Sequence, residues 1–75
     1  MRNIHFVIQI RDRQTHKYRA FVTFISENYN VWSYLQGLNS TRQEVVTANV
    51  YTKKKCVALA SAWNKGFKEQ GKLWE

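Results

Sequence analysis

The chain has no proline, three glycines and one cysteine among its 75 residues. With so few breakers it offers no linker, low-complexity stretch or internal repeat, so residues 1–75 are expected to form a single domain. A lone cysteine excludes an intramolecular disulfide and any cysteine-based zinc site. Cys56 falls on the apolar face of the last helical pattern and is expected to be a small buried thiol. No apolar run approaches the ~20 residues of a membrane span, and the polar, basic start is not a secretory signal. A soluble, cytoplasmic protein with no membrane partner is the expectation. Acids are scarce, five against twelve basic residues. Asp12, Glu27, Glu44, Glu69 and Glu75 are scattered, and no two have the spacing of a general acid and base. His5 belongs to a strand and His16 to a turn, so they form neither a metal set nor a partner for Cys56. No glycine loop cradles phosphate. These absences point to a protein that is not an enzyme and takes no cofactor and no metal.

Apolar residues and positive charge are abundant. Hydrophobic residues make up 44% and aromatics 15% of the chain, enough for a small core and against disorder. The net charge of +7 divides unevenly: residues 1–25 and 51–75 each carry +4, and the middle third carries −1. Two basic ends around a near-neutral middle suggest a patch built from the first hairpin and the last helix. Such a field favours nucleic acid, an anionic surface or an acidic protein.

Ile4, Phe6, Ile8 and Ile10 alternate with polar neighbours, and Tyr18, Ala20, Val22 and Phe24 repeat the pattern, which predicts strands over 4–11 and 17–25. A five-residue loop, Asp12–His16, would pair Ile8 with Ala20 and Ile4 with Phe24, joining apolar to apolar positions. Polar residues from Ser26 to Asn30 introduce a short helix over about 29–37, with Gly37 as its C-terminal cap. A third strand over 44–51 follows, then Thr52 as N-cap of a helix over 53–70 that ends before Gly71. The expected class is α+β, in the order β-β-α-β-α. The simplest arrangement is a two-layer sandwich: a small mixed three-stranded sheet with both helices on one face. Ile8 and Phe24 would then lie under the helices, with Gln9 and Thr23 on an open face beside Arg19, Phe21 and Tyr51. Trp32 and Trp63 read as core residues by their helical spacing, and Trp74 either frays or folds back.

The stretch Lys17-Tyr18-Arg19-Ala20-Phe21-Val22-Thr23-Phe24 resembles the RNP1 octamer of the RNA-recognition motif at Lys17, Ala20, Phe21, Val22 and Phe24. Tyr18 stands in place of its glycine and Arg19 in place of one stacking aromatic. The resemblance implies an RNA-binding-like sheet on which Phe21 stacks on a base, with Arg19 as a flat cationic substitute. Thr47-Ala48-Asn49-Val50-Tyr51, Lys54-Lys55, Trp63-Asn64 and Phe67-Lys68 resemble small uncharacterised proteins of bacterial phage and conjugative elements. That likeness implies an accessory role in a mobile element and carries no known site.

Lys53, Lys54 and Lys55 stand at the start of the last helix, where the helix dipole disfavours cations. Together with the unpaired N–H groups of that terminus they would make a phosphate-binding spot. The expected partner is therefore nucleic acid, single-stranded or duplex. Arg11, Arg13, Lys17 and Arg19 with Lys53, Lys54 and Lys55 would hold phosphates, while Phe21 and Tyr51 stack on bases. The alternative is a protein-binding module, such as a phage-encoded inhibitor of a host protein, or a homodimeric interaction domain. A net charge of +7 argues against DNA mimicry but leaves other interfaces open.

Overall fold

The computed structural model describes residues 3–26 and 30–74. Strands β1 (Asn3–Asp12) and β2 (Tyr18–Ser26) precede helix α1 (Val31–Asn39), strand β3 (Gln43–Val50) and helix α2 (Lys53–Glu69). The α+β class, the order β-β-α-β-α and the three-stranded sheet are those the sequence pattern requires. The expected start of α1 at Tyr29 lies outside the described residues. Asn30 caps α1, its side chain accepting from the Trp32 amide at 3.0 Å. Gly37 is not the cap: the helix continues to Asn39 and ends at Ser40. Thr52 caps α2 as expected, accepting from the Lys55 amide. Gly71, at φ 70°, closes α2 with paired bonds from its own N–H to the Lys68 carbonyl and from the Lys72 N–H to the Phe67 carbonyl.

The strand order is β2-β1-β3, and β1 is antiparallel to both neighbours. The sheet is thus antiparallel in every pairing rather than mixed. β2 and β3 do run in the same direction, as a strand–helix–strand unit prefers, but β1 is inserted between them. At the centre β1 has both of its faces buried, Val7 on one and Ile8 on the other.

Two further corrections concern the hairpin and the layers. Asp12 donates its amide to the Lys17 carbonyl at 2.8 Å, so the loop holds four residues, Arg13–His16, instead of five. The Asp12 carboxylate builds that loop, its Oδ1 accepting from the amides of Gln14 and Thr15, and His16 at φ 59° closes it. The shorter loop slips the register by one. Ile8 therefore faces Phe21, Ile4 faces Ile25, and Val7 faces Val22. Because side chains alternate across a strand, this turns the whole of β2 over relative to expectation. Phe24 is exposed (62%), and Phe21 packs against the cluster around Ile8.

The second correction concerns the layers. Phe6, Ile8, Ile10 and Ile25 form one buried cluster, covered by Val31, Tyr34, Leu35 and Leu38 of α1. Val7, Ala20, Cys56 and Ala60 form another, joined by Leu59, Trp63 and Phe67 of α2. Ile8 and Val7 are adjacent on β1, point to opposite faces, and are both fully buried. The helices consequently sit on opposite faces, giving helix, sheet and helix in three layers. Among the described residues no open sheet face as wide as the expected one remains. Asn64 of α2 locks its helix to edge strand β2 by accepting from the Ala20 amide (2.8 Å) and donating to the Ala20 carbonyl (2.9 Å). Trp32, expected in the core, is 69% exposed, because the first turn of α1 projects it away from the sheet. The chain beyond α2 folds back: Leu73 bridges Tyr18 along the β2 edge, and Trp74 reaches round to the α1 face.

Candidate nucleic-acid interface

β1 runs from His5 at one end of the sheet to Arg11 at the other, about 20 Å at 3.3 Å per residue. The basic residues singled out in the sequence divide between these two ends. Tyr51 donates its amide to the His5 carbonyl, which places Lys53, Lys54 and Lys55 at the His5 end. Arg13 donates to the Arg42 carbonyl, and Lys17 closes the hairpin, so both belong to the far end. The hairpin therefore meets the last turn of α2 and its tail, not the lysines of its first turn.

Register decides which aromatics accompany the lysines. On the α2 side of the sheet, Phe24 is the cross-strand partner of His5, with ring centroids 6.2 Å apart. On the other flank of β1, Tyr51 continues the line of β3, and the Lys55 ammonium lies 5.4 Å from its ring centroid. Phe24, His5 and Tyr51 thus form a row across three strands, just beyond the point where α2 begins to cover the sheet. Phe24 and Tyr51 are exposed and His5 is half-buried. Lys53, Lys54 and Lys55 are exposed beside the row. Flat aromatic faces next to mobile cations can stack bases and neutralise phosphates at once.

Of the expected site residues, Tyr51, Lys53, Lys54 and Lys55 are brought together, and the others are not. Phe21 lies on the opposite face, packed on the α1 cluster, with the Arg19 guanidinium 6.0 Å from its ring centroid. Phe21 cannot share a stacking surface with Tyr51. Arg11 is taken by an ion pair with its cross-strand partner Glu44, Nε donating at 3.1 Å. Glu44 first, and then the Tyr18 hydroxyl, hold that guanidinium more firmly protonated than usual. Arg13, Lys17 and Arg19 are exposed at the hairpin end.

Phe24 was missed as a site residue because the even-numbered positions of β2 read as core, and His5 because it was weighed only as a metal ligand or a partner for Cys56. The available signal was Val7, an apolar residue in the polar row of β1, which shows that both faces of the central strand are covered. Cys56 is fully buried and within 3.7 Å of the Tyr51 carbonyl, the inert state expected of it. Among the described residues no three His, Cys, Asp or Glu side chains gather where they could hold a metal ion. No helix among them is long and apolar enough to cross a membrane.

Comparison with known protein families, curated proteins and solved structures gives no match to this chain.

Proposed function

We propose that this protein is a non-catalytic nucleic-acid-binding protein that holds a single strand on the Phe24–His5–Tyr51 row. The observation that carries the reading is this row with Lys53, Lys54 and Lys55 at its side. Bases stack on Phe24 and Tyr51, and the lysines take the flanking phosphates. Stacking does not depend on base identity, so the expected preference is for single strands over duplex, with little sequence selectivity. The resemblance to small proteins of phage and conjugative elements adds an accessory role in a mobile element to the proposal.

Fluorescence titrations of a single-stranded oligonucleotide at several salt concentrations separate the two components. Phe24→Ala or Tyr51→Ala is expected to weaken binding by about 1–3 kcal/mol and leave the salt slope unchanged. Lys53→Glu with Lys54→Glu is expected to flatten the slope, by about 0.7 in log K per log salt for each phosphate that is no longer neutralised. A purified chain that binds neither single strand nor duplex at low salt would sink the proposal. The row would then be assigned to a protein partner.

Self-association has one observation of its own. β3 is an edge strand, and Val46 and Val50 on it are exposed. Unguarded edges pair with copies of themselves. Sedimentation of the parent and of Val46→Lys tests this: a dimer dissociated by the lysine supports edge pairing, and a monomer at all concentrations removes it.

A further inference from the structure

At the hairpin end, on the side away from the aromatic row, lies a groove of about 550 Å³. Asp12, Thr15, Lys17, Arg42, Gln43 and Trp74 line it. Three separate segments meet there: the β1–β2 loop, the turn before β3 and the tail that wraps the β2 edge.

Arg42 is held in place before any ligand arrives. Its Nε donates to Asp12 Oδ2 at 3.0 Å, and one terminal nitrogen donates to Gln14 Oε1 at 2.7 Å. The side chain nevertheless stays two-thirds exposed (66%), so the remaining N–H groups are open to an anion. A fixed guanidinium fork suits phosphate. The Asp12 carboxylate offsets the charge of Arg42, so the net positive charge of the groove comes from Lys17, while the free N–H groups of Arg42 supply directional donors. Lys17 supplies a second, mobile cation. Trp74 is half-buried: one part packs on the α1 cluster while another walls the groove. A positioned guanidinium and a mobile ammonium in a groove that Trp74 also lines, with Thr15 and Gln43 as polar rim, make a site for a planar ring that carries a phosphate.

We propose that this groove binds a nucleoside phosphate, the base against Trp74 and the phosphate on Arg42 and Lys17. The ligand is either a free nucleotide or the phosphorylated end of a strand. The site lies about 20 Å along the sheet from the aromatic row, and it stands whether or not that row binds a strand.

Amide and indole NMR shifts of the intact chain, titrated with AMP, adenosine, inorganic phosphate and a short oligonucleotide with or without a terminal phosphate, test it. AMP is expected to move the signals of Thr15, Lys17, Arg42, Gln43 and the Trp74 indole N–H, and to bind at least about tenfold more tightly than adenosine or phosphate. If AMP does not but the phosphorylated oligonucleotide does, and its unphosphorylated form fails, the ligand is a strand end. Trp74→Ala is expected to lose that advantage while Trp74→Phe keeps it, and Arg42→Lys to weaken binding by about tenfold. Phe24→Ala is expected to leave AMP binding unchanged. The proposal is overturned if neither phosphorylated species outbinds adenosine and phosphate, or if the shifts fall outside the groove. It is also overturned if a folded Trp74→Ala binds as the parent does.

Discussion

Replacing Phe24 and Phe21 separately by alanine tests the register on which the aromatic row depends. Fully burying a phenylalanine side chain contributes about 1.5–3 kcal/mol. Phe24 is 62% exposed, so little more than a third of that is at stake. Adding the modest contribution of its pairing with His5, Phe24→Ala should cost about 1 kcal/mol. Phe21 packs against the cluster of Phe6, Ile8 and Ile10 from the β2 side. Truncating a core phenylalanine costs about 3–5 kcal/mol, and for a half-buried one about 2–3 kcal/mol is expected. A domain of this size has about 4–11 kcal/mol in all, so the two variants should separate clearly. With a urea slope near ~1 kcal/mol per molar, Phe24→Ala should lower the midpoint by about 1 M and Phe21→Ala by about 2–3 M. The opposite ranking would mean that β2 points Phe24 inward, and the row would lose its outer aromatic.

Two further perturbations probe the supports of the two ends. Asn64→Ala should leave the buried Ala20 N–H and C=O unpaired, at about 1–3 kcal/mol per group. A loss of about 2–4 kcal/mol with faster hydrogen exchange at Ala20 is expected, and a loss below about 0.5 kcal/mol would refute the helix-to-edge lock. The Asp12 carboxyl is held below its ordinary pKa, chiefly by the Thr15 amide, with the Gln14 amide and Arg42 adding to it. A depressed folded-state pKa stabilises the protein above the unfolded value of about 3.9 and loses that contribution as pH falls through the folded value. Thermal melts from about pH 5 downward should therefore show a flatter acid limb for Asp12→Asn, which keeps the acceptor but does not ionise. Identical limbs would show that this carboxylate does not couple to folding.

Much of the architecture was legible because it depends on local chemistry. The alternation of β1, broken only at Val7, the cap residues Thr52 and Gly71, and the threefold and fourfold spacing of Cys56, Leu59, Ala60, Trp63 and Phe67 fix the elements and their order. The lysine triplet at the start of α2 could be located by the same means. β2 could not be oriented that way. Its even positions (Tyr18, Ala20, Val22, Phe24) and its odd positions (Phe21, Thr23, Ile25) are both apolar enough to face a core. The choice fell to one hydrogen-bonded loop, in which the Asp12 carboxylate gathers two amides and closes the turn a residue early.

What the sequence by itself determined is the set of elements, their order along the chain and the presence of cations at both ends of the chain. Those follow from period, capping and composition, which act over a few residues. Only the tertiary structure decided which face each side chain of β2 occupies, that the helices take opposite sides, and which cations keep company with which aromatics. The physical reason is that a one-residue slip is nearly invisible to a strand with two apolar faces, yet it inverts every side chain on it. Phe24 was thereby placed beside His5 and Tyr51, Phe21 was withdrawn to the other side, and the tail brought Trp74 to Arg42.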